Sequence, residues 1–175
     1  MNEPVDVAGR VRPVNDRPVD YNGDYVLHWM TSARRAEYNH ALDRSAAWAR
    51  ALNKPLIVLE AIGLQHPWAS SRFHSFIIQG MADQMSQFQK YGVRYLPYIE
   101  KKPGEGKGLI EALSVNACLV VTDDWPCFIT PKIVKAAGEK SAVHLEAVDI
   151  AGLLPVAAVP KVFARAYHFR LWHEK

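Results

Sequence analysis

Cysteine is nearly absent from this chain: Cys118 and Cys127 are its two thiols. Two cysteines supply neither a disulfide framework nor a four-ligand zinc site, and a reduced compartment is the natural setting. Long apolar runs are missing too; none approaches the ~18 residues that a membrane-spanning helix needs. The opening, MNEPVDVAGRVRPVNDRPVD, alternates charges with prolines and has no apolar core, so it does not read as a signal peptide. A soluble, cytoplasmic protein is expected. Excess charge of one sign is also lacking, since 21 Lys and Arg face 18 Asp and Glu. The surplus of +3 sits entirely in the last sixteen residues, where Lys161, Arg165, Arg170 and Lys175 oppose Glu174 alone. The body is therefore balanced and lacks the dense basic surface of a duplex-DNA binder. Direct DNA binding is not expected of it.

The motifs of several large enzyme classes are absent as well. No GxGxxG follows the first apolar run and no GxxxxGK[ST] occurs, which demotes dinucleotide and ATP chemistry. The glycines of Gly104-Glu-Gly-Lys-Gly108 follow Lys-Lys-Pro and read as a flexible connection. No GxSxG elbow, HExxH or other metal spacing exists among the seven scattered histidines, so no catalytic or metal-ligating residues are assigned.

What remains is a hydrophobic share of 49% in 175 residues, enough for one domain that buries roughly 70% of its unfolded surface. Residues 1–23 read as an extended lead-in, because Pro4, Pro13 and Pro18 forbid a continuous helix and Asn22-Gly23 marks a turn. From residue 24 to 160 strands and helices alternate. The apolar runs at 25–30, 56–59, 93–98, 117–121 and 142–148 predict five strands. Helices are predicted after the Thr31-Ser32 cap to about Leu52, over 70–90, at 107–115 and near 130–138. In the first of these, Ala41, Leu42, Ser45, Trp48, Ala49 and Leu52 form an apolar stripe; in the second, Phe73, Phe76, Ile77, Gly80, Met81 and Phe88 do. A basic, aromatic helix is predicted over 161–173, the bulk of a C-terminal segment 161–175 that should pack back on the sheet or meet a second copy.

This rhythm specifies an α/β fold: a doubly wound, Rossmann-like, three-layer sandwich around a five-stranded parallel sheet of order 3-2-1-4-5. Ligands of such sheets bind beyond the carboxyl ends of the strands where the order reverses, here between the first and fourth. Trp29, Met30, Thr31 and Ser32 follow one of these strands, and Asp123 and Asp124 end the other. Trp29 and Met30 could wall a flat ring or belong to the core. Asp123 and Asp124 could anchor ligand hydroxyls or form a turn pair that caps the next helix.

The run Tyr25-Val-Leu-His-Trp-Met-Thr-Ser-Ala-Arg-Arg-Ala-Glu-Tyr-Asn-His-Ala-Leu42 resembles the opening of the photolyase/cryptochrome family, specifically its class II branch of DNA photolyases. Supporting likeness runs through Lys54-Pro-Leu-Ile-Val58, Arg72-Phe-His-Ser-Phe76, Gly80-Met-Ala-Asp83, Leu119-Val-Val-Thr-Asp123 and Val159-Pro-Lys161. After the fourth strand the chain departs, with Asp124-Trp-Pro-Cys-Phe-Ile-Thr-Pro131 in place of a Pro-Leu-Arg-like stretch. The resemblance implies the N-terminal α/β domain of that family, which houses a deazaflavin or folate antenna. FAD and the DNA lesion are bound in the family's helical C-terminal domain, which is not expected within these residues. The implied partners are a small chromophore, a photolyase helical domain, or a second copy through the C-terminal helix. A binding module for a nucleotide or another small ligand, without any light function, is the alternative.

Overall fold

A computed structural model describes residue 4, residues 9–65 and residues 69–174. Six strands make one mixed sheet of order β1-β6-β5-β2-β3-β4. They are β1 (Val11–Pro13), β2 (Tyr25–Met30), β3 (Leu56–Ile62), β4 (Arg94–Ile99), β5 (Ala117–Asp124) and β6 (Leu145–Asp149). The helices are α1 (His40–Leu52), α2 (Ser71–Lys90), α3 (Leu109–Ser114), α4 (Thr130–Lys140) and α5 (Ala166–His173).

The five expected strands run parallel and keep their expected relative order, but the sheet has a sixth strand and is mixed. Within the lead-in, β1 pairs antiparallel with β6, matching Val11 to Val148 and Pro13 to Glu146. Proline tolerates this position because an edge strand has one side with no ladder bond to donate. Arg10 fixes the edge further: its guanidinium donates to the carbonyls of Asp149, Ala151, Gly152 and Leu153. Asn15 does the same one turn later, bonding the carbonyls of Gly138 and Val143 and accepting from the Leu145 N–H.

Burial follows strand alternation on both faces of the sheet. Leu27, Trp29, Leu59, Val120 and Leu145 meet Val134 and Ala137 of α4 on one face. Val26, Leu119, Val121 and Val148 meet Ala41, Trp48 and Leu52 of α1 on the other. On that second face Met30 and Val58 also meet Leu42 and Phe88, which joins α2 to the layer. The expected three layers are therefore present. No helix among the described residues is long and apolar enough to cross a membrane.

Three helix expectations are corrected. Thr31-Ser32 caps nothing: α1 starts nine residues later, where Asn39 Oδ1 accepts the N–H groups of Ala41 and Leu42. In α2, Met81 and Phe88 are buried, whereas Phe73 and Phe76 are exposed, because the first half of the helix overhangs the strand ends. The C-terminal helix begins at Ala166, not just after Pro160, and none of its residues is buried. It does not pack back on the sheet. Its aromatic groups gather among themselves, Phe163 against Phe169 and Trp172.

Candidate functional site

A cavity of about 810 Å³ opens at the carboxyl ends of the parallel strands. Its walls come from the loops after β2, β3 and β5 and from the overhanging half of α2. Phe73 and Ile77 close one side, and Trp125, Phe128, Ile129 and Ile133 the other. The remaining apolar wall is Ile62 and Ile150. Such a volume, apolar with a few polar groups, suits a ligand of cofactor size.

Arg34 and Glu100, polar groups of the cavity lining, are held in place by their neighbours. Glu60 on β3 is almost fully buried, and its carboxylate accepts from Arg34 Nη1 at 2.7 Å and from the Tyr95 hydroxyl at 2.5 Å. Burial first, and the adjacent Glu60 second, push the Tyr95 phenol up, so it stays protonated and remains a donor. Arg34 also donates to the Ala61 carbonyl, while Gln84 of α2 donates to the Arg34 carbonyl. This strut ties the loop after β2 to β3, β4 and α2. On the next loop Glu100 accepts the N–H groups of Leu64 and Gly106, which hold its carboxyl below the usual carboxylate range.

The residues expected at the site divide into two groups. Thr31 and Ser32 line the cavity. Trp29 and Met30 lie beneath it in the two core layers, Met30 with no exposed surface. Asp123 is fully buried, and its Oδ2 accepts the N–H groups of Thr31, Ser32 and Ala33 at 2.9, 2.6 and 2.9 Å. Asp124 faces the opposite edge, where Arg12 of β1 forks onto it at 2.5 and 2.9 Å. Neither aspartate caps α4, whose N-cap is Ile129. The apolar walls of the cavity come instead from Phe73 and Ile77, which periodicity places on the apolar stripe of α2, and from Trp125 and Ile129 in the loop after β5. Helical periodicity alone cannot tell an apolar face turned to a cavity from one turned to a sheet.

Beneath the floor, His28 of β2 is a buried histidine whose Nδ1 lies 3.0 Å from Ser45 Oγ. That hydroxyl also donates to the Ala41 carbonyl. Burial lowers the imidazole pKa to about 4, against the opposing pull of the Asp123 carboxylate and the Val121 carbonyl. Among the described residues, no group of three or more His, Cys, Asp or Glu could hold a metal ion.

No protein-family model matches the chain. Over 149 residues it is 30% identical to the deoxyribodipyrimidine photo-lyase of Methanothermobacter thermautotrophicus (strain Delta H), an alignment covering 85% of this chain and 33% of that protein. The chain thus spans about a third of the length of this relative. Among solved structures, a universal stress protein in complex with cAMP aligns with a TM-score of 0.45 and 18% identity, over 74% of this chain and 99% of that one.

Proposed function

We propose that these residues are the N-terminal domain of a photolyase-like protein, nearest the class II branch, and that the strand-end cavity holds a flat light-harvesting chromophore, a deazaflavin or a folate. The observation that carries this reading is the join of two facts. The chain is similar to a photolyase over most of its length, and its strand-end cavity has aromatic and isoleucine walls where a sheet of this kind binds ligands. An antenna needs no covalent chemistry from the protein. It needs a fixed ring orientation relative to the flavin that receives the energy, which a rigid apolar slot supplies. Phe73, Ile77 and Ile129 would sandwich the ring, and Thr31 and Ser32 would orient its polar edge. Repair of a pyrimidine dimer needs FAD and a lesion site, and we assign neither to these residues.

Equilibrium dialysis of the purified protein against a deazaflavin and a folate tests the assignment. Stoichiometric uptake of one of them, with a shifted near-ultraviolet band, is the expected result. No uptake of either would defeat it.

A further inference from the structure

The loop that leaves β2 is a cradle of backbone donors. The N–H groups of Thr31, Ser32 and Ala33 converge on one oxygen of Asp123, and the Thr31 hydroxyl reaches the same atom at 3.3 Å. Successive N–H groups aimed at a single point form a nest, a geometry that binds phosphate and other anions. Its place in the sheet is also the ordinary phosphate position, directly after a central strand at the reversal of strand order. A second anion-attracting position, the start of α1, is closed by the Asn39 side chain, which is itself buried. Two positions that would take a ligand's phosphate are therefore filled by side chains of the chain itself.

We infer that Asp123 is a specificity-determining residue: its carboxylate occupies the anion cradle at the β2 end. The cavity consequently admits a ring that brings no phosphate or carboxylate to that end. A phosphate arriving there would find its donors already taken and a buried negative charge behind them. Arg34, on the same loop, has its charge paired with Glu60 and bonds the Ala61 carbonyl. Arg35, exposed at the mouth of the cavity with its Nε on the Tyr38 carbonyl, is where an acidic substituent would be met. The ligand class that follows is a flat ring system entering neutral end first, with any acidic tail outward. This rests on reading the cavity as a chromophore site, but the cradle can be tested with no chromophore present.

The test is thermal unfolding of the wild type, Asp123→Ala and Asp123→Asn in chloride, formate and inorganic phosphate at equal ionic strength. Wild-type stability should differ among the three salts only by the general salt effect that every variant shares. Asp123→Ala should melt lower in chloride and regain ~3 °C or more in formate or phosphate, as the anion takes the vacated cradle. Asp123→Asn should melt lower with no recovery, because its carboxamide still fills the space. A wild type stabilised by phosphate as strongly as Asp123→Ala would overturn the assignment, as would an alanine variant that responds to neither anion. If the alanine variant is recovered unfolded, its refolding yield in formate against chloride reads the same equilibrium, and no rescue there counts equally against it. Formate rescue with no chromophore uptake would refute the chromophore reading alone. Chromophore uptake without rescue would refute the role of Asp123 alone.

Discussion

Acid should weaken this fold through His28 in a way that one substitution isolates. In the folded protein burial holds the imidazole pKa near 4, whereas in the unfolded chain it returns to its ordinary 6.5. Between these values the unfolded state binds a proton that the native state refuses. The stability contribution of the neutral ring is therefore intact above pH 6.5, declines as pH falls through the window, and is fully lost below about 4. At about 1.4 kcal/mol for each pH unit, the loss across the window comes to about 3 kcal/mol, a large part of a typical domain's stability. Native carboxylates held below their usual range, such as Glu100, also lose stability in acid, so the raw slope is not diagnostic. The comparison with His28→Asn is, because asparagine can keep a polar atom near Ser45 Oγ and does not titrate. Urea unfolding at pH 7.5, 6.5, 5.5 and 4.5 should show the wild type losing about 3 kcal/mol more than the variant. Parallel pH profiles would refute a buried neutral His28.

Two further outcomes test the architecture around the site. Gly23→Ala should lower the melting temperature by roughly 5–10 °C, because its Cβ would stand 2.5–2.7 Å from backbone atoms of Ala117 and Cys118, which cannot move aside. Glu146→Gln should cost about 3 kcal/mol by chemical denaturation, since the Glu146 charge that holds the buried Arg44 guanidinium at 2.7 and 3.0 Å is removed and the Trp48 Nε1 bond weakens.

The parallel strands are legible in the sequence because most are apolar runs, those of β2 and β5 buried on both faces, and such runs need no knowledge of their partners. Strand β1 is not, since its three residues offer Val11 alone as an apolar signal, and Arg10 and Asn15 reinforce its pairing through distant carbonyls. Gly23 reads locally as a turn residue, yet what requires it is the approach of β5. The late start of α1 has the same origin. Thr31-Ser32 is a good cap in isolation, but the N–H groups of Thr31, Ser32 and Ala33 all turn to Asp123, ninety residues further on, and the helix starts only at the Asn39 cap. Topology points to the strand ends, and a cavity does open there with Thr31 and Ser32 in its lining. Its apolar walls are not legible, because Phe73 and Ile77 have the spacing of a core stripe, and only the overhang of α2 turns them toward a cavity.

The claim that a flat chromophore occupies the strand-end cavity is tested most directly by plugging it. Ile77 is half-buried on the overhanging half of α2 and lines the cavity, so Ile77→Trp fills space without disturbing the sheet. Fluorescence titration of the wild type and Ile77→Trp with whichever chromophore the protein takes up should show affinity falling at least ~10-fold in the plugged variant, equivalent to about 1.4 kcal/mol, at an unchanged melting temperature. Equal affinity in the two proteins would place the chromophore elsewhere and contradict the account.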